Sequence, residues 1–303
     1  MQRRFSLILS VAALIAAAGC APAATPDPAL LTATALPAQS TDPVIPPTAT
    51  VASTDASEST AALEPVTLTV FAAASLTDAF NEIKSAFETA NPSVTIAYNF
   101  GGSNALAQQL GEGAPADVFA SANKKQMDVA IEAGRVVTGT TQVFVRNRLV
   151  VIVPQDNPGS VVTLQDLAKP GLKLILAAKD VPVGQYALDF LDKAVAGATF
   201  GATYKDDVLA NVVSYEDNVR SVLTKVALGE GDAGIVYTSD VSGDAAQDVV
   251  SFAIPDELNT IATYPIGAVQ DSAHADVAQA FIDYVLSPEG QAILSRHGFL
   301  PVN

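Results

Sequence analysis

The chain has 303 residues, enough for two lobes that each bury a core. Sixteen Lys and Arg stand against 32 Asp and Glu, a net charge of −16, which argues against nucleic acid as a partner because its recognition needs a basic face. The single cysteine excludes an internal disulfide, and no apolar run after residue 20 is long enough to span a bilayer.

Taken from its start, the chain places Arg3 and Arg4 before an apolar run, Phe5 to Ala18, that closes on Ala17-Ala18-Gly19-Cys20. A basic start, a short apolar core and small residues before a cut describe a secretory signal over residues 1–20. A membrane anchor is the competing reading, but the run falls short of the roughly 20 residues that a span needs. The segment resembles the lipobox of bacterial lipoproteins, with alanine where leucine is usual. That resemblance implies that Cys20 carries the lipid and becomes the mature N-terminus. The protein would then be extracytoplasmic and held to a membrane in the cell envelope. Loss of Arg3 and Arg4 would leave a net charge of −18. Residues 21–65 are rich in Ala, Pro, Thr and Ser without hydrophobic period, so a disordered tether is expected. Its reach is roughly 35–40 Å if flexible.

The folded part opens on VTLTVFAAASLTDAFNEIKSAF, Val66 to Phe87. Val66 to Phe71 reads as a buried strand, and Leu76, Ala79, Phe80, Ile83 and Phe87 recur at helical spacing. Ser75 with Asp78 three residues on is a helix-start signal. A helix start gathers free N–H groups and the positive end of the helix dipole, so it suits an anion, although a serine there also serves as a plain cap. Val94 to Phe100 reads as a strand, followed by Gly101-Gly102-Ser103-Asn104 and a helix carrying Leu106 and Leu110. Asp117 to Ala120 is a short strand, and Met127 to Ala133 a short helix closed by Gly134. Arg148 to Val153 and Leu172 to Ala177 are strands, with a helical turn at Leu164 to Leu167. Pro182-Val183-Gly184 leads a helix bearing Ala187, Leu188 and Leu191. Val208 to Ser214 runs into Tyr215-Glu216-Asp217-Asn218, and the next helix carries Val219, Val222, Leu223 and Val226 and stops at Gly229. Strands follow at Ala233 to Tyr237, Val249 to Ile254 and Tyr264 to Val269. Val277 to Leu286 is a helix, and a last one starts at Ser287-Pro288-Glu289 and ends at Gly298.

Strands alternating with helices predict an α/β fold with mainly parallel sheets, and ligands in such sheets bind beyond the carboxyl ends of the strands. Four such ends share one chemistry: Ser75, Ser103, the Val183-Gly184 turn and the Asn218-Val219 turn each start a helix. Two precede Arg148 and two follow it, which predicts a cleft between two lobes with donors from each. The chain is expected to cross between lobes near Asn147 and again near Ala262 to Tyr264. That makes residues 66–147 with 264–303 the first lobe and 148–263 the second.

Other chemistries fare poorly. His274 and His297 are far apart and no cysteine cluster exists, so no metal centre is expected. Gly102-Ser103-Asn104 lacks the G-x-S-x-G elbow of a serine hydrolase, and no G-K-[ST] follows Gly101-Gly102 to make a phosphate loop. Asp117 suits a cap or hinge better than an acid catalyst. Arg220 suits either an anion or a structural ion pair, with Asp217 beside it.

Phe71-Ala72-Ala73-Ala74-Ser75-Leu76 resembles the start of the periplasmic molybdate-binding proteins, the substrate-binding components of molybdate ABC transporters. The likeness continues at Phe100-Gly101-Gly102-Ser103 and Gly113-Ala114-Pro115-Ala116-Asp117-Val118-Phe119. It runs on through Val181-Pro182-Val183-Gly184, Asn218-Val219-Arg220, Gly234-Ile235-Val236-Tyr237, Ser287-Pro288-Glu289-Gly290-Gln291 and Gly298-Phe299. The resemblance implies a two-lobe fold of the type II periplasmic-binding class with the ligand in the interlobe cleft, and a binder rather than an enzyme. It implies capture of molybdate and tungstate without a cofactor or counter-cation, delivery to a permease with its ATPase subunit, and a monomer. Hydroxyls of Ser75, Ser103 and Tyr237 would hold the oxyanion, with backbone N–H groups at Val183 and at Asn218 or Val219. The rivals are a binder of sulfate or another oxyanion, a hydrolase using Ser75 or Ser103, and a ligand-free surface lipoprotein.

Overall fold

The computed structural model describes residues 64–197, 199–243 and 247–302. The signal-like start, Cys20 and all but the last two residues of the 21–65 segment lie outside the described residues.

The first lobe is built from β1 (Val66–Ala73), α1 (Thr77–Ala90), β2 (Val94–Gly101), α2 (Ser103–Gly111), β3 (Val118–Ala120), α3 (Lys124–Glu132) and β4 (Gln142–Asn147). The second takes β5 (Leu149–Pro154), β6 (Leu174–Ala177), α4 (Pro182–Ala196), α5 (Tyr204–Ala210), β7 (Val212–Glu216), α6 (Val219–Ala227), β8 (Ala233–Tyr237) and β9 (Val249–Ala253). The chain then returns through β10 (Ala262–Ala268) to α7 (Ala275–Leu286) and α8 (Pro288–Arg296). Two five-stranded sheets result, in the orders β2-β1-β3-β10-β4 and β7-β6-β8-β5-β9. One residue, Arg148, separates β4 in the first sheet from β5 in the second.

The sheets are mixed, not mainly parallel. The βα units pair β1 with β2 and β3, and β6 with β7 and β8, in parallel. The strands at the crossings run the other way: β10 lies antiparallel to β3 and β4, and β5 antiparallel to β8 and β9. β4 keeps the sense of β1 and β3, whereas β5 and β10, the strands that enter one sheet from the other, run against its βα units.

Burial follows the sequence pattern. On α1 the buried residues are Ala79, Phe80, Ile83 and Phe87, the stripe expected of a helix against a sheet. Phe80 and Phe87 meet Phe281 of α7 edge-on at 6.0 and 5.6 Å. All of β5 is buried, as for a strand covered on both faces. Two elements depart from the sequence reading. Gln142–Asn147 carries no clean alternation, yet it forms β4 at the sheet edge beside β10. The stretch around Val208 divides into α5 and the edge strand β7, whose Val213 and Tyr215 are exposed.

Candidate functional site

The carboxyl ends of β1, β2, β6, β7 and β8 converge on one small cavity, lined by Ser75, Ser103, Val183, Asn218, Val219 and Tyr237 among others. All five residues singled out from the sequence lie on it. Its volume is about 10 Å³, far below the range of roughly 300–1,000 Å³ usual for organic ligands. No Lys, Arg, His, Asp or Glu is among its lining residues. Polarity comes instead from hydroxyls and from the N-termini of α2, α4 and α6, together with the short 3₁₀ turn Ala74–Leu76 that precedes α1.

Each donor is held by local structure. Ser75 does not cap α1: it sits inside the 3₁₀ turn, the helix begins at Thr77, and neither segment has a side-chain cap. Its Oγ lies 2.9 Å from Tyr264 Oη. Ser103 is the first residue of α2, and its Oγ accepts the Ala122 N–H at 2.9 Å. Pro182 takes the first position of α4, where its missing N–H costs nothing, and the N–H of Val183 has no acceptor within its own helix. Gly184 is required beside it, because a Cβ there would stand 2.1 Å from the Ala178 carbonyl oxygen at the end of β6. Asn218 caps α6 by accepting the Ser221 N–H at 3.0 Å, which leaves the Val219 N–H free. Tyr237 closes the set: it is 1% exposed and its hydroxyl has no hydrogen-bond partner among the described residues. Burial pushes its pKa well above the usual value, with the neighbouring phenols adding to the effect. A neutral donor thus stands unpaired in the cavity.

The lobes touch around this cavity. Arg220 Nη2 on α6 pairs with Asp78 Oδ1 on α1 at 2.6 Å across the cleft, and its Nη1 lies 4.0 Å from Asp240 Oδ1, so the adjacent Asp217 is not its partner. Asp217 Oδ1 instead takes bonds from Asn218 Nδ2 and Ser221 Oγ. Gln126 Nε2 on α3 donates to the Asp180 carbonyl before α4 at 3.4 Å. Asp117 proves to be a fastener in the first lobe, accepting the Thr69 N–H at 2.7 Å and the Ser272 hydroxyl at 2.6 Å. Neither serine has a histidine for a neighbour; His297 Nε2 lies 2.8 Å from Glu82 Oε2. Among the described residues no three His, Cys, Asp or Glu side chains cluster to hold a metal. No described helix is long and apolar enough to cross a membrane.

Sequence reasoning missed three side chains next to the site. Asn147, at the crossing, is fully buried, as is Tyr264 on β10. Asp240 is fully buried too, and its Oδ2 accepts the Tyr237 N–H at 3.0 Å. Asn147 and Tyr264 stood out in the sequence only as bounds of the two expected lobe crossings, and nothing marked Asp240.

Burial lifts the Asp240 carboxyl from 3.8 to about 7, against the pull of Arg220 and of the Tyr237 N–H and with a push from Asp78. It therefore carries little charge beside an anion site below neutral pH. In the unfolded chain it ionises near pH 4. Between about pH 4 and 7 the folded protein keeps a proton that the unfolded chain has released, so stability from this group is full below pH 4 and declines as pH rises to 7. Asp240→Asn retains an acceptor for the Tyr237 N–H. Its melting temperature is expected to fall less than that of the wild type between pH 5 and 8, and identical pH slopes would refute this origin.

Comparison with known proteins agrees with this architecture. The model of a family described as bacterial extracellular solute-binding protein matches residues 68–300. The molybdate-binding protein ModA of Mycobacterium tuberculosis is 35% identical over 232 residues, covering 77% of this chain and 84% of that protein. Among solved structures, the Azotobacter vinelandii periplasmic molybdate-binding protein superposes with a TM-score of 0.67 at 19% identity, over 78% of this chain and all of that one. The sulfate-binding protein SubI of Mycobacterium tuberculosis gives 0.70, also at 19% identity, over 78% of this chain and 88% of that one. These two likenesses establish the two-lobe type II periplasmic-binding fold. With the family model matched from residue 68 to 300, this chain belongs to the bacterial extracellular solute-binding proteins, a family of binders and not of enzymes.

Proposed function

We propose that this protein captures molybdate, and tungstate with it, and delivers the anion to the permease of an ABC transporter that is driven by an ATPase subunit. The observation that carries the reading is the composition of the cavity: hydroxyls and helix N-termini converge there without a charged side chain, and the Tyr237 hydroxyl lacks a hydrogen-bond partner among the described residues. Ser75, Ser103 and Tyr237 donate hydroxyls, and Val183 and Val219 donate backbone N–H groups. A fully deprotonated tetrahedral oxyanion has only acceptors, so an all-donor cavity suits it. Monohydrogen phosphate brings a proton that would need an acceptor. The 35% identity to ModA supports molybdate over other oxyanions. Sulfate is the second reading, because it too is proton-free and the fold also serves SubI.

Calorimetric titration of the purified protein with molybdate, tungstate, sulfate and phosphate separates these readings. Tight binding of molybdate and tungstate with none of phosphate is expected; preference for sulfate would replace the first reading with the second. We also assign residues 1–20 as a lipoprotein signal, Cys20 as the lipidated residue and 21–65 as the tether of a monomeric extracytoplasmic binder. Cys20→Ser is expected to release the protein from membranes into the soluble envelope fraction. Continued membrane association after signal cleavage would refute the anchor.

A further inference from the structure

Asn147 and Tyr264 bind no ligand in the reading above, yet they join the interlobe crossing to Ser75. The directions of the hydrogen bonds around Asn147 follow from its neighbours. The backbone N–H of Arg148 can only donate, and it donates to Asn147 Oδ1 at 2.9 Å. The Thr238 hydroxyl also donates there, at 2.8 Å, sharing its one hydrogen with the Gly298 carbonyl at 3.2 Å. This fixes the Asn147 amide, whose two N–H groups must then point the other way. They donate to Ser239 Oγ at 2.8 Å and to Tyr264 Oη at 3.3 Å. Tyr264 Oη accepts there, so its single hydrogen is available for Ser75 Oγ, 2.9 Å away. Three rings hold the phenol in place: Phe299, Tyr237 and Phe144 lie edge-on at 5.5, 6.0 and 6.4 Å.

We propose that Tyr264, set by Asn147, is a positioning and specificity residue that fixes the Ser75 hydroxyl as a donor to the anion. The Ser75 lone pair facing Tyr264 is occupied, and the Ser75 hydrogen is left for the cavity. Ser103 is set in the same sense by a different device, since its Oγ already accepts the Ala122 N–H. Rejection of protonated oxyanions thus does not follow from serines as such, because a free serine hydroxyl rotates and can accept. It follows from what holds their lone pairs. This rests on the reading that Ser75 binds an oxyanion.

The test is a double-mutant cycle on the full chain with molybdate as the probe, joined to competition by monohydrogen phosphate at pH 8. Tyr264→Phe keeps the ring and removes the donor, and a loss of about three- to tenfold in molybdate affinity is expected. In a Ser75→Ala background the same change is expected to cost nothing further, because Tyr264 acts through Ser75. Phosphate should gain on molybdate in Tyr264→Phe, as the freed Ser75 hydroxyl can now accept. A merely structural role would weaken both anions alike and add to the loss from Ser75→Ala; either result, or no gain by phosphate, overturns the proposal. Should Tyr264→Phe fail to fold, as judged by melting, Asn147→Ala takes its place in the same cycle with the same criteria. Failure of the wild type to bind molybdate, or unchanged affinity in Ser75→Ala, would strike the site reading. Additivity in a cycle whose Ser75→Ala arm does lose affinity strikes this inference alone.

Discussion

Ser75→Ala and Ser103→Ala are each expected to weaken molybdate binding about ten- to a hundredfold, since a hydrogen bond to a charged group contributes roughly 1.5–3 kcal/mol. Titration of each purified variant measures it, and unchanged affinity in both would remove the serines from the site. Melting curves on the same samples add a second axis. Ser103→Ala orphans the buried Ala122 N–H, which costs about 1–3 kcal/mol of stability, and Ser75→Ala removes the hydroxyl that pairs with Tyr264 Oη. Tyr237→Phe differs in kind. Its hydroxyl has no partner to lose among the described residues, so the variant should bind molybdate less tightly while melting no lower than the wild type. An affinity loss there cannot be ascribed to a weakened fold.

The sequence carried the site's backbone well and its side-chain network poorly, for a physical reason. Ser103, Val183 and Val219 occupy helix starts, and helix starts announce themselves through small residues, a proline and a return of 3.6-residue spacing. Ser75 shows where that reasoning slips. Ser75 and Asp78 have the spacing of a capping pair, but a 3₁₀ turn intervenes and frees both: Ser75 turns to Tyr264 and Asp78 to Arg220. The partners lie 189 and 142 residues away in the chain, so no local pattern could name them. Asn147, Tyr264 and Asp240 were hidden for the same reason. The antiparallel sense of β5 and β10 is likewise a matter of pairing between strands far apart in the chain, which hydrophobic period does not encode.

Gly102→Ala is expected to cost more than any of the hydroxyl deletions, although it removes no atom that touches the anion. The backbone there, φ −63° and ψ 131°, suits any residue, so the substitution brings no local strain. What it brings is a Cβ 2.4 Å from the carbonyl oxygen of Asp217, which belongs to the other lobe, and 2.7 Å from Asn104 Oδ1. The amide tip of Asn104 can move aside. The Asp217 carbonyl precedes α6 and can retreat only if that helix start retreats with it. The lobes must therefore part, and the donors of the second lobe, at Val183, Val219 and Tyr237, move away from those of the first. Losing even two charged hydrogen bonds at roughly 1.5–3 kcal/mol each weakens binding at least a hundredfold. Closure on a ligand is the motion expected of two lobes whose donors share one anion. Small-angle scattering should therefore record contraction of the wild type with molybdate, and none for Gly102→Ala at saturating anion. Gly101→Ala is the control one residue earlier, because its Cβ meets only the Leu106 side chain, at 3.4 Å. It should bind and contract as the wild type does. A Gly102→Ala protein that contracts normally with molybdate would place any affinity loss in the cavity and not in closure, and one that binds at wild-type strength would show that the lobes need not meet at Asp217.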